Sequence, residues 1–200
     1  MPELTAILEA VLLAATEPLS LDRLLNVFPE IERPDRTALR AALAELATAC
    51  EGRGVELVEV ASGFRLQVPA DFAPWVSRLW EERAANYSRA LLETLALIAY
   101  RQPITRGEIE AVRGVSLSSG IMRTLQERGW IKVVGHREVP GRPALYATTH
   151  AFLDYFNLKS LSDLPPLATP RDLNVIGAEL DRRAPDRPDD ASPAMEPADD

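Results

Sequence analysis

SRALLETLALIAYRQPITRGEIEAVRGVSLSSGIMRTLQERGWIKVVGHREVPGRPALYATTHAFLDYF, residues 88–156, places three helical patterns and a hairpin pattern within the length of one small domain. Leu91, Leu92, Leu95, Ile98 and Ala99 recur at the spacing of a helix with one apolar face. Thr105, followed three positions later by Glu108, forms a capping box ahead of Ile109 and Val112. After Gly114, the residues Leu117, Ile121, Met122 and Leu125 mark a third helix that stops at Gly129. Two β-rich runs, 130–134 and 144–148, then flank a Gly/Pro-rich connection over 135–143. Three helices followed by a two-stranded wing is the winged-helix plan, a variant of the helix-turn-helix.

The same order occurs upstream. ILEAVLLAA (7–15) aligns with LLETLALIA (91–99) at an offset of 84 residues. With one inserted residue, Pro18, Leu19 and Ser20 fall on Pro103, Ile104 and Thr105, and Leu24 falls on Ile109. Asp35 is placed to cap a helix whose Leu39, Leu43, Leu46 and Cys50 share a face, and Gly52 and Gly54 end it. The run 55–60 leads through Ser62 and Gly63 into Phe64, Leu66 and Val68, which alternate with Arg65 and Gln67 as in a half-buried strand. Beyond this first wing, residues 71–80 carry Phe72, Trp75, Val76 and Leu79 on one helical face, the counterpart of 151–158 after the second wing. The spacing predicts that Trp75 and Trp80 are packing residues.

From Lys159 onward the pattern dissolves. Leu161, Leu164, Pro165, Pro166 and Leu167 precede a weak helical stretch near 173–180, and 183–200 is rich in Pro, Asp and Ala without an aromatic residue. Such a composition buries too little surface to offset its chain entropy and predicts a disordered, solubilising tail. The expected fold class is α+β, mainly helical: two tandem winged-helix domains, 1–83 and 84–160, with an acidic, Pro-rich tail over 161–200 that is extended or disordered.

Composition narrows the function classes. The single cysteine, Cys50, lies on an apolar helical stripe and reads as a buried structural thiol in a reducing compartment. No apolar run approaches the ~18 residues that span a bilayer, and Met1, Pro2 and Glu3 lack the basic region of a signal peptide, so a cytoplasmic protein without membrane contact is expected. The net charge of −8 is unevenly spread: −6 over residues 1–86, +3 over 87–157 and −5 over 158–200. Only the middle segment favours phosphate.

No nucleophile, metal set or cofactor loop stands out. His136 and His150 have no Cys or second His at ligand spacing, the Walker, dinucleotide and G-x-S-x-G patterns are missing, and the carboxylates read as solvated helix faces. Neither an enzyme nor a cofactor is expected. A DNA reader would place Arg, Lys, Asn or Gln on the exposed face of a third helix. Here those helices offer Arg123, Gln126 and Arg128 against Glu127, and Arg36 and Arg40 against Glu45, which read better as solvated surfaces. The second wing, with Lys132, Arg137 and Arg142, keeps a DNA-binding transcription regulator as the rival reading.

Taken together, ALLETLALIAYRQPITRGEIEAVRGV (90–115), SSGIMRTLQERGWIKVVG (118–135), VPGRPALYATT (139–149) and LKSLSDLPPL (158–167) resemble the bacterial segregation and condensation protein B family. The resemblance covers roughly residues 4–167, closely in the second half and more loosely in the first. It implies a tandem winged-helix subunit of the bacterial condensin that does no chemistry, pairs with itself, and binds the kleisin that closes the ring of a structural-maintenance-of-chromosomes ATPase. It further implies that the first domain carries most of the self-association and the second grips the kleisin, with DNA contact weak or indirect and the protein associated with the nucleoid. On the matching motif positions, the residues expected to shape the partner-facing wing are Tyr100, Arg137, Gly141, Arg142, Pro143 and Tyr146. Gly141 and Pro143 would set the turn, and the two tyrosines would be core rings with wet hydroxyls.

Overall fold

The structure is a computed structural model and describes residues 3–79 and 87–167. The expectations for Trp80, for the stretch 173–180 and for the tail over 183–200 lie outside the described residues. Helix and strand are mixed along the chain, and two separate hydrophobic clusters hold it together.

The first lobe runs α1 (Leu4–Ala14), α2 (Leu21–Leu25), α3 (Arg36–Ala49), β1 (Glu56–Val60) and β2 (Gly63–Gln67). The starts of α2 and α3 are side-chain capped: the Ser20 hydroxyl accepts Arg23 N–H, and the Asp35 carboxylate accepts Ala38 N–H at 2.7 Å. Each cap satisfies a backbone donor that the helix itself cannot reach. Leu39, Leu43, Leu46 and Cys50 then face Leu8 and Leu12 of α1 and Leu24 of α2, all buried. Each buried leucine contributes roughly 1.5–3 kcal/mol of transfer free energy.

Beyond β2 the chain does not form the continuous helix expected over 71–80. It breaks into a 3-10 turn (Ala70–Phe72), the four-residue α4 (Ala73–Val76) and a second 3-10 turn (Ser77–Leu79). Pro69 precedes the first turn and Pro74 sits in the first turn of α4, so the ladder is never continuous. Neither core includes its apolar residues: Trp75 is 66% exposed, Leu79 76% and Phe72 39%. The expectation that Trp75 packs in the core is thereby corrected. Amphipathic spacing announced a face to be covered, but nothing described in the chain covers it.

The second lobe runs α5 (Arg89–Arg101), β3 (Ile104–Thr105), α6 (Arg106–Arg113), α7 (Ser119–Glu127), β4 (Ile131–His136), β5 (Ala144–Thr148) and α8 (His150–Tyr155). The capping box is present: the Thr105 hydroxyl accepts Glu108 N–H while Glu108 accepts Thr105 N–H at 2.9 Å. Leu91, Leu95, Ile98, Ile109, Leu117, Met122, Leu125 and Trp130 fill the core. The structured chain continues past residue 160, where Ser160 caps one 3-10 turn (Leu161–Asp163) and Leu164 packs on this core.

The second sheet differs from the two-stranded wing expected. It has three strands in the order β3-β5-β4, with Ile104 opposite Tyr146 and Thr105 opposite Leu145. A two-residue strand carries no alternation that a sequence pattern can register. The first lobe holds the equivalent contact at the aligned position: Leu19 N–H donates to Phe64 O at 2.8 Å and Phe64 N–H to Leu19 O at 2.9 Å. Gly63 makes this approach possible. A Cβ there would stand 2.2 Å from Leu19 O, and the residue has φ +135°.

Candidate partner-binding surface

The second wing is built around the loop 137–143, and that loop folds on itself. Arg137 N–H donates to Pro143 O and Arg142 N–H to Val139 O, both at 2.9 Å, while Gly141 and Arg142 take positive φ values of 84° and 38°. Two consecutive left-handed residues turn the chain sharply, and a glycine in the first of them avoids a Cβ penalty. Four of the six residues singled out from the sequence, Arg137, Gly141, Arg142 and Pro143, therefore share one loop. Tyr146 lies on β5, half-buried against the core, and Tyr100 is half-buried in the last turn of α5, which packs on β5.

The wing's cations are largely spent within the chain. Arg137 grips Glu108 through both oxygens, at 2.9 and 3.2 Å, and so ties the wing to the capping box of α6. Arg142, whose side chain is 70% exposed, pairs with Glu138 at 2.8 Å. Glu108 is held below the ordinary carboxylate value first by the Thr105 backbone N–H, then by the Thr105 hydroxyl, with Arg137 adding its positive charge. The third helix repeats the pattern: Arg123 pairs with Glu127 at 2.7 Å, and Arg128 lies over the rings of Tyr87 and Trp130, 4.9 and 5.7 Å from their centroids. In the first lobe, Arg36 binds Asp22. These pairs are mostly exposed, with the Arg123 and Arg142 side chains 80% and 70% accessible, and such surface pairs are weak.

What the second wing does present is aliphatic. Val133, Val134 and Val139 are exposed large apolar side chains, and the register shifts between Val133 and Gly135. Sequence reasoning passed over these valines in favour of charged and turn residues. The signal was legible: two adjacent valines in a strand cannot both point to one core, because successive side chains face opposite sides. The shift leaves Val134 without a partner on β5, and both valines are exposed.

Among the described residues no group of three His, Cys, Asp or Glu side chains is placed to hold a metal ion, and no helix is long and apolar enough to cross a membrane. Cys50 is buried in the first core.

Comparison with known proteins gives this surface its context. The family model described as segregation and condensation complex subunit ScpB matches residues 6–167. A segregation and condensation protein B homolog of Coxiella burnetii is 56% identical over 174 residues, which span 87% of this chain and 83% of that protein. Segregation and condensation protein B of Syntrophotalea carbinolica is 45% identical over 82% of each chain. The crystal structure of ScpB from Mycobacterium tuberculosis shows 38% sequence identity, covers 78% of this chain and 96% of its own, and has a TM-score of 0.36. With the family pattern running through both lobes and more than half of the positions shared with one relative, this chain belongs to the segregation and condensation protein B family.

Proposed function

We propose that this protein is a non-enzymatic adaptor subunit of a bacterial condensin complex. It is built of two tandem winged-helix domains, 1–83 and 84–160, pairs with itself through the first, and holds the kleisin subunit with the second. Through the kleisin it joins the structural-maintenance-of-chromosomes ATPase, and it serves chromosome condensation and segregation in the cytoplasm at the nucleoid. Family membership supports the complex. The observation that carries a protein-facing role for the second wing is its valine surface beside arginines already paired with the chain's own carboxylates. Such a surface suits an apolar protein segment with a polar rim. Tyr100, Arg137, Gly141, Arg142, Pro143 and Tyr146 shape this site: Arg137, Gly141 and Pro143 hold the loop, and Arg142 stands at its rim. The exposed Phe72, Trp75 and Leu79 stripe supports self-association through the first domain.

Co-expression with the cognate kleisin followed by gel filtration tests the reading. One shared peak is expected, and separate peaks at micromolar concentration would overturn it. Val134→Asp and Val139→Asp together weaken that association roughly tenfold or more, because a carboxylate is set against a desolvated contact. Trp75→Ala shifts the protein alone toward monomer in sedimentation. The DNA-regulator reading predicts instead sequence-dependent duplex binding at physiological salt, lost on Arg123→Ala or Arg142→Ala. Membership of the segregation and condensation protein B family disfavours it.

A further inference from the structure

The two lobes have separate cores, yet the turn of the first hairpin is fastened to the exit of the second lobe. Ala61 N–H donates to Leu158 O at 3.0 Å. Ser62 donates its N–H to one oxygen of Asp154 at 3.0 Å and its hydroxyl to the other at 2.6 Å. Arg65 reaches the Asp154 carbonyl at 2.9 Å and the Asn157 side-chain oxygen at 2.6 Å. Lys159 pairs with Glu59 at 2.6 Å. Ala61, though part of the first hairpin, packs on the second core together with Leu158 and Leu164.

The geometry of the exit serves these contacts. Asn157 has φ +57°, a left-handed conformation that asparagine tolerates, and Leu158 N–H donates back to Leu153 O at 2.8 Å. This ends α8 and turns the chain so that the Leu158 carbonyl meets Ala61. The Asp154 carboxylate meanwhile receives two donors from one residue of the other lobe. Bonds to an ionised acceptor are directional and strong, so they define an orientation in a way that a few apolar contacts do not.

We propose that these contacts form a strap, with Asp154 as its central fastening, that holds the two lobes in one arrangement and fixes the spacing between the surfaces they present. Asp154, Ser62 and Arg65 are positioning residues: they act on the lobes and need touch no partner. The strap stands independently of which partner the second wing holds.

Amide hydrogen exchange on the full chain tests it. In Asp154→Ala, the Ser62 amide loses its acceptor directly, whereas the Ala61 amide keeps its own acceptor, the Leu158 carbonyl. The strap predicts that protection falls roughly tenfold or more at both amides, because the seam opens as a unit. Helix amides such as Leu12 and Ile98 keep their protection and report that both cores remain folded. Arg65→Met, which keeps the aliphatic stem, gives the same paired loss at Ala61 and Ser62 by removing different bonds. Protection lost at Ser62 alone in Asp154→Ala, or unchanged at both amides in Arg65→Met, would reduce Asp154 to a local cap and overturn the proposal.

Discussion

The two hairpins occupy the same place in their lobes and have opposite fates. The first is short: β1 and β2 are joined by Ala61 and Ser62, Gly63 lies against Leu19, and the turn is fastened to Asp154 of the other lobe. The second carries a seven-residue connection whose tip is exposed, with nothing within 4 Å of a Cβ built at Gly141. The difference teaches how one plan is put to two uses. A hairpin whose turn meets its own chain becomes a structural joint. One whose tip extends into solvent leaves aliphatic side chains exposed, as Val133, Val134 and Val139 are here.

One glycine from each hairpin gives the largest test of that contrast. Gly63→Ala drives a Cβ into the Leu19 backbone in a disfavoured conformation and costs about 3 kcal/mol or more by denaturant unfolding. Gly141→Ala meets only its positive φ and costs about 1 kcal/mol. Equal costs at the two sites would dissolve the distinction between the fastened hairpin and the exposed one.

Helix caps at aligned positions differ more finely. Thr105 has the reciprocal Glu108, whereas Ser20 has Arg23 at the corresponding place and receives no return bond from it. Thr105→Ala therefore costs about 1 kcal/mol and Ser20→Ala less, again read from denaturant midpoints. A larger loss at Ser20 would show that tertiary contacts, not the box, decide the cost.

The smallest effect is with pH. Glu93, Glu108 and Glu110 of the second lobe are all held below the ordinary carboxylate value of 4.5, through bonds from Arg89, the Thr105 N–H and the Leu117 N–H respectively. A lowered folded-state value means that the unfolded chain takes up protons first as pH falls. The stabilisation is therefore complete above about 4.5 and is lost as pH drops through the lowered values. Glu108→Gln lowers Tm at neutral pH and flattens its fall in acid, measured by thermal unfolding from neutral to about pH 3. An unchanged slope would show that Glu108 has no part in it.

Much of the fold was legible because local physics writes it in short spacings. Ser20, Asp35 and Thr105 announced helix starts and cap them, and Leu24 and Ile109, aligned across the repeat, are both fully buried. The third strand was not legible, since Ile104 and Thr105 are too few to alternate and pair only because β5 is brought beside them. The stripe with Trp75 was misread for a related reason. Spacing shows that residues share a face but not what lies opposite it. Around the candidate site, the turn formed by Gly141 and Pro143 could be read, while the engagement of Arg137 by Glu108, 29 residues away, could not.

The sequence by itself determined two repeats of three helices and a hairpin, their caps and most of their core, because these depend on contacts within a few turns of the chain. Tertiary structure alone decided which hairpin turn is bonded to the other lobe and which stands exposed. Ser62 and Asp154 are 92 residues apart, and no local spacing records that a hydroxyl and a carboxylate at that separation will meet at 2.6 Å. Such a meeting depends on both lobes being folded first, so that the entropy of bringing the two groups together has already been met by the packing of Leu, Ile and Phe side chains elsewhere.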